Sequence, residues 1–296
     1  MSRAHNLSYT VMKRLFIIFL SAFLFFAVER LCHKATDGFA MVNVYAPRGE
    51  NQKWHREGEI PRHLLKQTFT YFDSGSQSYV FLSEDGTTVL KLFKFQHMRT
   101  PPVLNFLPDV GALRRKREKK RAVLEKTFDS LCLAYDEMKE ETGLITLHLA
   151  KTSNLKQSIT IIDKIGKTHL IDLDQVEFLL QRKGVLAYEA INRWMTQENQ
   201  EAAENAVRSL LRLAESRCQK GIFDKDPDFS TNFGYIDTTP FQIDFGRLSP
   251  SAQEKQLEVY GPEMIRITRA FESWIAENHP ILLDSFVEEL NEIVCQ

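Results

Sequence analysis

The chain has 296 residues, and at roughly 100 to 200 residues per domain that is one bilobal domain or two modest ones, which excludes a mini-protein stapled by disulfides. Hydrophobic residues make up 43% and charged residues 26%, ordinary globular values, and 38 basic against 39 acidic side chains leave a net charge of −1. That balance argues against a nucleic-acid coat protein and against nucleic acid as a general partner. Cys32, Cys132, Cys218 and Cys295 are far apart with no CxxC, so neither a zinc site nor a disulfide framework is written here.

The first feature is an uncharged run, 15–28 (LFIIFLSAFLFFAV), opening at Leu15 and closing at Val28, with Lys13-Arg14 before it and Glu29-Arg30 after it. A spanning helix needs about 20 apolar residues, whereas the apolar part of a secretory signal is about 7 to 15 long and follows a basic stretch. Met12-Lys13-Arg14 reads as an alternative start. The small-x-small triplet that cleavage requires is hard to find, and Leu31 stands before Cys32 where a lipobox needs a small residue. Segment 1–38 is therefore read as an uncleaved signal-anchor, and the protein as membrane-anchored or exported. The positive residues on either side bias the N-terminus only slightly towards the cytoplasm.

From 39 to 66 the chain mixes Pro, Gly, Asn and charges without a period, a linker or a strap over the domain. Three runs rich in aromatic and β-branched residues follow, 68–72 (TFTYF), 78–82 (SYVFL) and 87–93 (TTVLKLF), split by turn residues at 73–76 and 84–86: an antiparallel meander. Pro101, Pro102 and Pro108 break the chain before a helix over 110–141, whose Leu124, Phe128, Leu131, Tyr135 and Met138 share one face. Further strands are expected at 144–149, 158–163, 168–173 and 176–182, and a helical region from 189 onward, with helices at 198–220, 262–278 and 280–294. The expected architecture is α+β: an N-terminal antiparallel sheet with one helix at 67–184, then a mainly helical lobe at 185–296.

Four features stand in order on this layout. Gly75-Ser76-Gln77-Ser78 forms a short polar turn between two strands, whose backbone N–H groups suit phosphate oxygens. Lys91 lies amid Val89, Leu90, Leu92 and Phe93, where an inward lysine needs an anion. The segment 221–232 (GIFDKDPDFSTN) holds Asp224, Asp226, Asp228 and Asn232, oxygen donors for a hard divalent cation, or simply an Asp-rich turn. Last comes Asp244-Phe245-Gly246 after an apolar approach.

In this order the four features resemble the protein-kinase-like superfamily: glycine-rich loop, strand-three lysine, catalytic loop and Asp-Phe-Gly. The resemblance runs from about residue 69 to 249 and implies a bilobal kinase-like fold with ATP and Mg²⁺ as cofactors. It further implies that Gly75, Ser76, Ser78 and Lys91 hold the phosphates, that Asp244 and Asn232 ligate the metal, and that Asp226 accepts the hydroxyl proton. Glu125 is the choice among Glu118, Glu125 and Glu137 for the glutamate that pairs with Lys91, and the adenine-binding hinge falls within 176–184. The usual His-Arg or His-Gly pair before the catalytic Asp is missing, with Asp224-Lys225 in its place. Asp226 to Asn232 is one residue longer than the family spacing, so the base stays open among Asp224, Asp226 and Asp228. With 50 residues after Gly246 and no long activation segment, the chain is more similar to small atypical kinases: Rio-type, the kinase of the tRNA threonylcarbamoyl complex, sugar kinases or aminoglycoside phosphotransferases. The resemblance implies a phosphotransferase acting on an undetermined acceptor. A pseudokinase kept as a membrane-associated binding module is the alternative, and transfer of AMP by the same fold stays open.

One motif lies outside this frame. Residues 114–121 (RRKREKKR), Arg114 to Arg121, hold seven basic side chains and one acidic, a solvated helix face or a contact for anionic lipid.

Overall fold

The computed structural model describes residues 2–46, 52–56, 58, 60–101, 104 and 106–295; Pro102, named above as a breaker, and parts of 39–66 lie outside them. Helix α1 (Ser2–Thr36) takes up the whole apolar run and extends beyond it at both ends. Its stretch Met12–Thr36 is long and apolar enough to cross a membrane: 25 residues rise about 37 Å at 1.5 Å each, against a hydrocarbon core of about 30 Å. None of that stretch's most apolar window is buried against the rest of the chain. The helix ends in two left-handed residues, Asp37 and Gly38. Gly38 N–H closes on the His33 carbonyl at 3.0 Å, and its positive φ of 71° favours glycine at this cap.

Described residues of the irregular segment 39–66 pack on the first lobe. Phe39, Trp54, Leu65 and, in the short helix α2 (Met41–Val44), Val44 are buried there. That lobe is a seven-stranded sheet of β1 (Thr68–Ser74), β2 (Ser78–Ser83), β3 (Thr88–Phe93), β4 (Leu144–His148), β5 (Ser158–Ile162), β6 (Thr168–Asp172) and β7 (Phe178–Arg182), in the order β4-β7-β3-β2-β1-β5-β6. The expected meander is present, with Val80 opposite Lys91 and Lys91 opposite Leu179. The sheet is not wholly antiparallel, however: β5 runs parallel to β1. β4 occupies one edge, so the chain crosses the sheet before β5 and enters beside β1 in the same direction.

Alternation along the strands separates two cores. Tyr79, Phe81, Leu90, Leu92, Phe178 and Leu180 face the strap and pack with Phe39, Val44 and Leu65. Phe93 and Leu179 face the other side, where α3 (Phe95–Met98) supplies Phe95 and Met98, α4 (Gly111–Glu137) supplies Phe128 and Leu131, and Met138 joins them just beyond the helix. The helix stops at Glu137, four residues before its expected end, because Met138 leaves helical geometry and Gly143 takes a positive φ.

The second lobe follows β8 (Val185–Leu186). Helices α5 (Ala187–Thr196), α6 (Gln200–Gln219), α7 (Leu257–Asn278) and α8 (Leu283–Val294) bury Val207, Leu210, Leu211, Met264, Phe271 and Phe286 together. Arg208 and Arg212 on α6 pair with Glu288, Glu289 and Glu292 on α8. The region from 189 onward, expected to be helical, also carries four short strands between α6 and α7: β10 (Phe233–Ile236) pairs with β11 (Thr239–Gln242) and with β8, and β9 (Ile222–Asp224) pairs with β12 (Leu248–Pro250), runs too short to show a strand pattern. The layout is therefore α+β, a sheet lobe followed by a helical lobe and preceded by an apolar helix.

Candidate active site

The two lobes enclose a cavity of about 420 Å³. Period-two alternation aims Val80, Val89, Lys91, Leu179 and Gln181 of the sheet into it, and the β1–β2 turn, the stretch Arg182, Lys183 and Gly184, and the loops before β10 and β12 close the rest. Gly75, Ser76, Ser78, Lys91, Asn232 and Asp244 all line it. Asp226 and Glu125 do not.

The turn is held from below. Gly75 N–H donates to Ser78 O at 3.0 Å, Lys94 N–H to Gln77 O at 2.8 Å, and the buried Lys94 ammonium donates to Ser74 Oγ at 2.5 Å and Gly75 O at 2.6 Å. Lys94 was not singled out from the sequence, where it looks like any polar residue ending a strand. On the cavity side Gln77 lies over Gly246: a Cβ there would stand 2.3 Å from Gln77 Oε1.

Lys91 Nζ donates to Ile243 O at 2.9 Å and sits 5.4 Å from the Phe245 ring centre. Burial pushes its pKa down, and the nearby Asp244 carboxylate opposes that. Glu125 does not supply the counter-charge: it pairs with Arg121 at 3.0 Å one turn earlier on α4. The α4 side chains that reach this region are Leu131, which lines the cavity, and Ser130. The helical spacing identified the face of α4 but not how far along it the cavity begins.

The Asp244-Phe245-Gly246 turn is tied at three points. Asp244 Oδ1 accepts from Gly246 N–H at 3.0 Å, Ser130 Oγ donates to Phe245 O at 2.6 Å, and the same hydroxyl accepts from Leu248 N–H at 2.6 Å. Asn232 is joined to this turn through its carbonyl, which accepts from Ile243 N–H at 2.7 Å. Its side-chain Nδ2 donates to Asp226 O at 2.6 Å, which orients Oδ1 away from that bond. Asn232 and Asp244 thus bring two oxygen donors to one wall. Among the described residues no group of three or more His, Cys, Asp or Glu could hold a metal. A hard cation such as Mg²⁺ fits this donor set if water and phosphate oxygens complete its shell, its usual habit.

The three aspartates before Asn232 have different positions. Asp224, at the end of β9, is 2% exposed and accepts from Gln242 Nε2 at 2.7 Å and from Asp226 N–H at 2.9 Å; burial raises its pKa. Asp228 turns its carboxylate onto Ser230 and Thr231, which lowers its pKa against the opposing effect of burial. Asp226 is half exposed, and its Oδ2 meets Arg247 Nη1 at 3.0 Å. The buried Arg217 on α6 supports the strand before this loop, donating from Nη1 to Ile222 O at 2.9 Å. Neither Arg217 nor Gln242 carries a local signal that sequence reading could have used.

No family model matches the chain, and no curated protein is similar to it. Among solved structures it is similar to WbdD at 13% identity and TM-score 0.38, over 75% of this chain and 45% of that one. A second WbdD structure, described as a bifunctional kinase-methyltransferase, matches at 13% identity and TM-score 0.36, over 72% and 42%. Rv3197 of Mycobacterium tuberculosis, solved with erythromycin, matches at 16% identity and TM-score 0.35, over 76% and 55%. The chain corresponds to about half the length of these proteins. The two-lobed layout with its cavity between strands and helices is kinase-like, a likeness of fold carried by this chain's own sheet, its lobe junction and its Asp244-Phe245-Gly246 turn.

Proposed function

We propose that the protein is a membrane-anchored phosphotransferase of atypical kinase type that uses ATP and Mg²⁺. The observation that carries this reading is the convergence of Lys91, Asn232 and Asp244, from three separate elements, on one cavity roofed by the Gly75–Ser78 turn. Phosphoryl transfer asks mainly for positioning and charge neutralisation, and one ammonium, two oxygen donors and a rim of backbone N–H groups provide both. On this reading Lys91 meets the α and β phosphates, and Asp244 and Asn232 hold the cation, which neutralises phosphate charge when bound. The acceptor hydroxyl oxygen bonds to the γ-phosphorus, the bond from that phosphorus to the β–γ bridging oxygen breaks, ADP leaves, and the proton passes to Asp226, which stands outside the cavity lining next to Asn232 and so takes an acceptor bound at the cavity mouth. Helix α1 is the anchor: its Phe16, Phe19 and Phe25 are each more than 60% exposed, and a bilayer removes such surface from water.

The test is a thermal-shift titration of the detergent-solubilised full chain with ATP, with and without Mg²⁺. Stabilisation that needs Mg²⁺ and is lost in Lys91→Ala and Asp244→Ala is expected; no shift at millimolar ATP in the folded wild type would refute the reading. A second reading, a pseudokinase acting as a binding module, is favoured by two observations: Asp226 is neutralised by Arg247, and Lys91 bonds a carbonyl rather than a carboxylate. Nucleotide-dependent stabilisation without phosphate transfer to any hydroxyl acceptor would select it.

A further inference from the structure

The N-terminal half of α4 carries charge that the fold does not use. Arg117 is paired with Asp109 at 2.8 Å, Arg121 with Glu125, and Lys120 Nζ donates to Gln96 O at 2.9 Å. Arg115, Lys116 and Lys119 are exposed and have no carboxylate partner among the described residues. Their spacings of i+3 and i+4 put them on one side of the helix. Immediately before the helix stand three exposed apolar side chains, Phe106 at 90%, Leu107 at 51% and Val110 at 63%. A soluble face has no reason to combine the two; a lipid surface does, since apolar side chains enter the interface while lysine and arginine meet anionic headgroups.

The position of this patch argues for the same occupant. The apolar run of α1 ends at Val28, and the eight helical residues to Thr36 rise only about 12 Å. The end of the helix is then latched to the sheet lobe: Asp37 Oδ2 accepts from Tyr71 Oη at 2.5 Å and from Lys164 Nζ at 2.8 Å, and Gly38 O accepts from Tyr79 Oη at 2.6 Å. From that latch a short chain of hydrogen bonds leads to the basic helix, Gln96 Nε2 to Tyr79 Oη at 2.9 Å and Lys120 Nζ to Gln96 O. The far end of the basic stretch, at Lys120, therefore lies beside the point where the chain leaves its apolar helix, and Lys119, Lys116 and Arg115 follow from there along the first turns of α4.

We infer that Arg115, Lys116 and Lys119, with Phe106, Leu107 and Val110, form a docking surface for the anionic leaflet on the side where α1 ends, so that the sheet lobe lies against the membrane. This rests on the reading of α1 as an anchor. A lysine or arginine near an anionic surface favours the docked state by about fivefold, so the three together contribute roughly a hundredfold.

The experiment uses the full chain reconstituted in phosphatidylcholine vesicles with or without phosphatidylserine, and follows hydrogen exchange of the amides of 106–114. Slowing of about tenfold or more on phosphatidylserine vesicles, reversed by high salt and absent in the triple variant Arg115→Glu, Lys116→Glu, Lys119→Glu, is expected. Equal exchange on both vesicles, or slowing that survives charge reversal, would overturn the proposal. Slowing by single-stranded RNA in detergent, with none on anionic vesicles, would overturn it in favour of nucleic acid. Unchanged exchange in the sheet strands checks that the variant is folded. Resistance of wild type and variant to alkaline extraction from membranes reports on the anchor alone, so failure of docking and failure of anchoring are told apart.

Discussion

Ser130→Ala isolates the contact that pins the Asp244-Phe245-Gly246 turn to helix α4. Ser130 is 1% exposed, and its single hydroxyl both donates to Phe245 O and accepts from Leu248 N–H, each at 2.6 Å. Phe245 and Leu248 are themselves buried, so water does not readily replace the lost partner. Leaving one buried donor or acceptor unpaired costs about 1–3 kcal/mol; with two such groups, partly relieved by relaxation, a loss of about 2–4 kcal/mol is expected. Urea unfolding of the detergent-solubilised full chain, followed by tryptophan fluorescence, measures it. A change below about 0.5 kcal/mol, the scatter of neutral surface substitutions, would refute the argument that this hydroxyl ties the turn down. Because Asp244 is carried on the same turn, the Mg²⁺-dependent part of the ATP thermal shift is expected to weaken as well.

Two further outcomes follow from the geometry. Gly184→Ala would place a Cβ 2.3 Å from Phe241 Cε1 and 2.5 Å from Tyr235 O, both in packed surroundings; overpacking of this kind costs about 1–3 kcal/mol, and an unchanged urea midpoint would disprove the close approach. His148 is buried against Phe178, and burial pushes its pKa from 6.5 down to about 4. The unfolded chain then binds more protons than the folded one between those values, so this stabilisation is complete above about pH 6.5 and is lost as pH falls towards 4. The window is worth roughly 3 kcal/mol, about 2 of which is gone by pH 5. Replacement by neutral Gln, His148→Gln, is expected to flatten the dependence of the unfolding free energy on pH in this range, and a variant that keeps the wild-type slope would count against a buried neutral histidine.

Local chemistry was readable wherever it acts over a few residues. β-branched and aromatic runs located the seven strands of the first sheet but not the short strands β8 to β12, and the spacings at Phe128, Leu131 and Tyr135 located the inward face of α4. The apolar run at 15–28 announced a helix that the domain does not bury. The order of Lys91, Asn232 and Asp244 singled out three groups that line one cavity, Lys91 within a strand whose alternation sets its direction and the other two in loops beside short strands.

What the sequence left open depends on partners distant along the chain. Whether 39–66 is a tether or a strap turns on Phe39, Val44 and Leu65 meeting the sheet, and an aperiodic segment carries no sign of where it docks. The parallel pairing of β1 with β5 follows from a crossover that no strand pattern encodes. Three aspartates within five residues are equivalent on paper. The structure separates them because Gln242, 18 residues away, draws Asp224 into the interior, a local turn occupies Asp228, and Arg247 from beyond the Asp-Phe-Gly turn reaches Asp226. Glu125 failed as a partner for Lys91 for the same reason: periodicity assigns a residue to a face of a helix, but only packing against the sheet decides which turn of that face stands at the cavity. The sequence alone thus determined the strands of the first sheet, most of the helices and the chemical types at the site, because these follow from short-range sterics and hydrophobic patterning. Tertiary structure decided which carboxylates are buried, paired or open, because charge pairing and desolvation are set by neighbours that sequence distance does not reveal.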